Sequence, residues 1–233
     1  MKWRRTCPGS GTAFAALAMV LAAASAPSQA CGLELVLAVD VSQSVERSEF
    51  ELQIGGLAAA FRDPRVVEAI TWTTGGIMAT VTQWSGRDSQ AQTVPWAHLT
   101  DAASAAAFAA AIAAQARAFV ASYTAIGEAL IHAEALGASN PLHCTRRVID
   151  VSGDGASNQG APPHQIAAAL AAAGVTVNGL VILGAWPDPK AFYLENVIGG
   201  EGAFLEVADQ FSDYPAAIRR KLLRELAPQL AAR

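Results

Sequence analysis

Asp40, Ser42 and Ser44 carry three oxygen-bearing side chains spaced two residues apart, directly after the apolar run 33–39. Thr124 follows much later, in Ser122-Tyr123-Thr124, and Asp154 stands in Ser152-Gly153-Asp154-Gly155. Carboxylates and hydroxyls are hard donors, and such donors suit Mg²⁺ or a similar hard cation such as Mn²⁺. Two carboxylates brought together repel each other, and a divalent ion between them removes the repulsion. Magnesium takes about six oxygens and keeps some of its waters. Five side chains, some acting through water, therefore leave at least one position for an outside ligand.

Elements of a definite kind must position these groups. Residues 33–39 form a continuous apolar run, as in a strand buried on both faces. Residues 45–61 read as a helix with Phe50, Ile54, Leu57 and Phe61 on one side, Ser44 as its cap, and Gly55-Gly56 packed close to the sheet. Asp63-Pro64 ends it. Residues 77–84 and 93–96 read as strands around Gly86-Arg87-Asp88-Ser89, a hairpin at an antiparallel edge. Helices are expected over 102–120 and 124–136, a strand over 147–151, a helix over 165–173 and a strand over 175–183. A short strand over 203–207 and a helix over 214–226 close the chain. This alternation predicts an α/β fold: a three-layer, Rossmann-like, mostly parallel sheet with helices on both faces and one antiparallel edge strand. Ligands bind such sheets at the carboxyl ends of the strands. If strands 33–39 and 147–151 are neighbours, Asp40 and Asp154 converge there.

Composition narrows the function classes. The chain has 233 residues, is 52% hydrophobic and 15% charged, and carries a formal charge of −4. One domain with a substantial core is expected, and nothing in the charge pattern suits nucleic acid. Lys2, Arg4 and Arg5 precede an apolar stretch over 13–24, and Ser28-Gln29-Ala30 supplies small residues at a cleavage position. Residues 1–30 thus read as a secretory signal, shorter in its apolar run than a membrane span. Arg4-Arg5 leaves the export route, general or twin-arginine, open. The mature domain then covers 31–233, periplasmic or secreted, with no transmembrane segment. Losing three basic residues takes its formal charge to −7.

Cys7 leaves with the signal, so Cys31 and Cys144 remain. Two cysteines in an exported protein suggest one disulfide. Each precedes an aspartate of the set at a matched offset, just before the two strands that would be neighbours. Cys31 also directly follows the cleavage position, so a lipid-modified cysteine is the competing reading.

Asp40-x-Ser42-x-Ser44, then Thr124, then Asp154 resembles the metal-ion-dependent adhesion site (MIDAS) of the von Willebrand factor A (VWA) domain, the integrin I-domain fold. Residues 34–40 and 146–155 are also similar to a group of exported bacterial A-like domains of unknown function. The resemblance implies a non-catalytic domain that binds a protein or peptide through the metal, with a partner carboxylate completing the shell. It implies that Ser42, Ser44 and Thr124 bind or approach the ion while Asp40 and Asp154 act often through water. Many A domains carry Thr-Asp-Gly at the second aspartate. Here the sequence is Ser-Gly-Asp-Gly, which makes Asp150 a rival that its place inside a strand disfavours.

Simpler readings exist for each residue. Ser42, Ser44 and Thr124 would serve as helix caps. Asn158 is expected to bond the loop. His98, His132, His143 and His164 show no zinc-like pairing. Trp72, Trp84 and Trp96 read as core or sheet cover. Among enzyme classes, no Gly-x-Ser-x-Gly elbow surrounds Ser152 and no Gly-x-Gly-x-x-Gly follows the first strand. A metal-assisted hydrolase stays as the alternative, because an open metal position can also activate water.

Overall fold

The computed structural model describes residues 1–3, 30–120, 122–186 and 188–231. Most of the expected signal therefore lies outside the described residues. Six strands form one sheet: β1 (Ala30–Asp40), β2 (Ile77–Trp84), β3 (Gln90–Leu99), β4 (His143–Gly153), β5 (Val175–Ile182) and β6 (Leu205–Ala208). Their spatial order is β3-β2-β1-β4-β5-β6. All neighbours run parallel except β2 and β3, which pair antiparallel at the edge. The chain leaves β1 toward β2 and later returns to the other side of β1 as β4. The β1–β4 boundary is thus the point where strand order reverses, and a crevice opens at the carboxyl ends of such a pair.

Helices cover both faces. Period-2 alternation along β1 decides which residues meet which layer. Leu33, Leu35, Leu37 and Val39 pack against α1 (Arg47–Ala60), α2 (Pro64–Trp72), α3 (Ala102–Ala113) and α7 (Tyr214–Ala231). Val36 and Ala38 face the other way, toward α4 (Ile126–Gly137), α5 (Pro163–Ala172) and α6 (Pro189–Asn196). Among the described residues, no helix is long and apolar enough to cross a membrane.

Several expectations shift in place. Helix α1 is capped at Glu46, whose N–H donates to Glu49 Oε2 at 2.7 Å, so Ser44 is not its cap. Gly56 does mark a close approach, but to α7 and not to the sheet. A Cβ there would lie 3.0 Å from Pro215. Helix α3 stops at Ala113, well before residue 120, because the following segment turns back to bond strand β2. Gln83 Nε2 donates to the Ala116 carbonyl and Gln83 Oε1 accepts from the Ala118 N–H. Helices α2 and α6 were not anticipated. Both start at Asp-Pro, where Asp63 and Asp188 accept backbone N–H bonds from Arg65 and Lys190. Pro at the first helical position has no N–H to leave unpaired.

Cys31 and Cys144 are joined by a disulfide. They lie inside β1 and β4 as directly paired residues, not just before the strands. Trp84 is fully buried, whereas Trp72 is 45% exposed and does not belong to the core. Trp96 covers the sheet edge, donating from Nε1 to the Leu136 carbonyl.

Candidate metal centre

The register of β1 on β4 creates the site. Val39 pairs with Ser152, so Asp40 arrives level with Gly153 and Asp154 follows one residue beyond. Asp40 and Ser42 are completely buried, and Asp154 nearly so. The Ser42 N–H donates to Asp40 Oδ1 at 2.7 Å, which bends the chain sharply as it leaves the strand. Ser42 Oγ lies 3.2 Å from Ser44 Oγ, and Ser44 Oγ donates to Asp154 Oδ1 at 2.7 Å. One continuous line of oxygens therefore runs from the β1 loop to the β4 loop.

Thr124 is brought to the same rim through its main chain. Its N–H donates to Asn158 Oδ1 at 2.9 Å, and its carbonyl accepts from the Asn158 N–H at 2.9 Å. That pairing ties the Thr124 loop to the segment after Asp154, and Asn158 serves the loop, as expected. On the other side, the Gln43 N–H donates to the Ser122 carbonyl at 2.9 Å. The Ala125 N–H donates to the Ser85 carbonyl beyond β2 at 2.9 Å. Three loops thus meet at the carboxyl ends of β1, β2 and β4.

Electrostatics gives the centre its character. Burial, with the nearby charge of Asp154 added, pushes the Asp40 carboxyl up to about 8. Burial also raises Asp154, opposed by the bond from Ser44. Asp40 Oδ2 is buried without a hydrogen-bond partner. Two buried carboxylates, with one oxygen left unpaired, favour either a proton or a cation. The donors present, two carboxylates and three hydroxyls, fit a hard divalent ion. Among the described residues, no group of three or more His, Cys, Asp and Glu side chains gathers.

Asp150 does not compete for this place. It points to the opposite face, where its Oδ2 lies 2.8 Å from Lys221 Nζ on α7. Lys221 is fully buried and also reaches Glu225 at 3.0 Å. Burial opposes the Lys221 charge, but the two carboxylates hold it protonated. Asp150 is therefore part of a structural ion cluster beneath the sheet.

Two residues at the site escaped the sequence reading. Arg117 Nη1 donates to the Val45 carbonyl at 2.8 Å, and Nη2 donates to the Val41 and Ser42 carbonyls at 2.6 and 2.7 Å. The guanidinium thus clamps the whole Asp40–Ser44 turn, a task its planar array of donors suits. Arg117 lay inside the expected 102–120 helix, and its isolation as a cation at the end of an Ala-rich run was the available signal. Tyr193 lies on α6, and the Asp188-Pro189 start signal would have revealed that helix.

The chain from residue 30 to residue 230 matches the model of a bacterial family described as protein of unknown function, DUF1194. The chain belongs to that family. No curated protein sequence matches it. Its fold is that of VWA domains, as solved structures show. Proximal thread matrix protein 1 from the mussel byssus superposes with a TM-score of 0.62 at 16% identity, over 85% of this chain and 47% of that one. The same protein with a zinc-occupied MIDAS motif gives 0.57 at 18% identity, over 88% and 46%. The vWF domain of the type V pili tip protein Mfa5 from Porphyromonas gingivalis gives 0.59 at 11% identity, over 85% and 96%. The chain spans about half the length of the mussel protein.

Proposed function

We propose that this DUF1194 chain is an exported VWA-type binding domain that holds a divalent cation, Mg²⁺ or Mn²⁺, and engages a protein or peptide partner through it. Asp40, Ser42, Ser44, Thr124 and Asp154 hold the ion, some through water. The single observation that carries the reading is the pairing of two buried carboxylates linked through Ser42 and Ser44, with Asp40 Oδ2 left unpartnered. The ion supplies the charge that turns an acidic rim into an acceptor for a partner carboxylate. The reading is of binding, not catalysis, and it draws on the fold and the donor set together.

Export fits the same picture. The disulfide suits an oxidising compartment, and residues 1–30 fit a signal whose removal leaves an acidic domain of formal charge −7. A mussel structure with zinc at its MIDAS motif offers a precedent for divalent binding on this fold. The Mfa5 domain at a pilus tip offers one for an exposed location.

The test is affinity capture from a periplasmic extract with the mature domain as bait. A specific partner should be retained in Mg²⁺, released by EDTA, restored by Mg²⁺ or Mn²⁺, and lost with Thr124→Ala and Asp154→Ala. High salt should weaken it only in part, because a short coordinate bond is poorly screened. Turnover of an ester or phosphoester that needs Asp40 and the metal, with no partner retained, would place the protein among hydrolases instead.

A further inference from the structure

A second unpaired oxygen lies behind the proposed cation site. Tyr193 enters from α6, is 0% exposed, and its hydroxyl has no hydrogen-bond partner. Gly153 places that hydroxyl next to the unpaired oxygen of Asp40. A Cβ on this glycine would lie 2.6 Å from Tyr193 Oη and 2.8 Å from Asp40 Oδ2. The strand pleat explains the meeting. Val36 and Ala38 point toward the α4–α6 layer, so Asp40 does too, and Tyr193 belongs to that layer's core. Only glycine at position 153 leaves room for both oxygens.

A buried hydroxyl without a partner costs about 1–3 kcal/mol relative to a filled apolar contact. Phenylalanine would fill the same ring volume without that cost. A hydroxyl kept at such a cost, directed at an equally unpaired carboxylate oxygen, points to a use.

We infer that Tyr193 is a positioning residue of the cation site, its hydroxyl donating through one buried water to Asp40 Oδ2. Asp40 Oδ1 is already held by the Ser42 N–H. With Oδ2 held as well, the carboxylate plane is fixed, and its remaining lone pairs face the ion. A donor behind a ligating carboxylate orients it and tunes its charge, and such partners govern metal affinity strongly. Both oxygens lie within 3 Å of the same point beside Gly153, close enough together for one water with polar partners on both sides to bridge them. This inference rests on the proposed cation reading.

The experiment is calorimetric titration of the exported protein with Mg²⁺, for the wild type and for Tyr193→Phe, with thermal melts of both in EDTA. The variant should bind Mg²⁺ about tenfold or more weakly. Its stability in EDTA, read from the melting midpoint, should stay within about 1 kcal/mol of the wild type's, the net worth of a single hydrogen bond. A tyrosine with a merely structural role would lower the midpoint and leave the affinity unchanged, which overturns the inference. A wild type that binds and a variant that binds equally overturns this inference alone. A wild type that binds no divalent ion overturns the cation reading and this inference with it. A crystal structure of the Mg²⁺-loaded wild type supplies the second measurement. It should hold a water between Tyr193 Oη and Asp40 Oδ2, and its absence would contradict the role whatever the variant does.

Discussion

Ser44 Oγ donates to Asp154 Oδ1 at 2.7 Å across 110 residues of chain. The bond ties the turn after β1 to the turn after β4, so the two carboxylates of the site are one unit and not two neighbours by chance. It also uses the only proton of Ser44, which leaves the lone pairs of that oxygen free toward Ser42 and the rim. A serine whose sole task was helix capping would accept a backbone N–H with its oxygen, and Glu46 occupies the cap position instead.

The first prediction follows from that link. Asp40→Ala, Thr124→Ala and Asp154→Ala should abolish Mg²⁺ binding in calorimetric titration while circular dichroism stays that of the folded wild type. Ser44→Ala should keep some binding with a weaker affinity, and its stability should fall by about 1 kcal/mol for the lost hydrogen bond. Equal affinity in Asp40→Ala and wild type would remove Asp40 from the site.

The second concerns pH. The Asp40 carboxyl stands at 3.8 in the unfolded chain and at about 8 in the metal-free fold. Between those values the native state binds the extra proton, so the contribution of Asp40 to metal-free stability is full below about pH 4 and is lost as pH rises to about 8. Mg²⁺ competes with that proton, and its affinity should therefore rise with pH over the same interval. Melting curves at pH 5 and pH 8, each in EDTA and in Mg²⁺, check both halves. The Mg²⁺ increment in midpoint should be larger at pH 8, and an equal increment at both would contradict the linkage.

The third concerns Arg117. Its guanidinium holds the carbonyls of Val41, Ser42 and Val45, and its charge opposes the upward shift of Asp40. Arg117→Ala should cost about 2 kcal/mol in denaturant unfolding, the range for hydrogen bonds from a charged group. It should also weaken Mg²⁺ binding, although no ligand side chain is replaced. Arg117→Lys should recover little of either, since an ammonium cannot span the same carbonyls. Full recovery by lysine would show that charge alone matters there.

The strand pattern and the meeting of Asp40 with Asp154 at strand ends were both legible in the sequence, for one reason. Strands buried on both faces are continuous apolar runs, and the polar residues that end them stand out sharply. Asp40 after 33–39 and Asp154 after the strand of Val148 and Val151 are of this kind. Helix ends were less legible. Alanine carries helix propensity but no stop signal, so α3 ran on in the sequence to residue 120, whereas the hydrogen bonds of Gln83 end it at Ala113. Tyr193 stayed hidden because its role depends on the pleat of β1 and the missing side chain of Gly153, a relation between three distant segments. The pairing of Cys31 with Cys144 was legible from compartment and offset, but its place within the strands was not.

The fourth prediction tests that pairing. Peptide mapping of the exported protein under non-reducing conditions should recover one Cys31–Cys144 peptide pair. The bond joins residues 113 apart, so the double Cys31→Ala, Cys144→Ala variant should lose about 4–5 kcal/mol on a chain-entropy basis. A lipid on Cys31 would contradict the bond.

The most direct measurement is an anomalous difference map from a crystal of the protein soaked in Mn²⁺. A single strong peak is expected, bounded by Asp40, Ser42, Ser44, Thr124 and Asp154, with an edge of the coordination shell open to solvent. No peak there, or a peak instead beside Asp150 and Glu225, would contradict it.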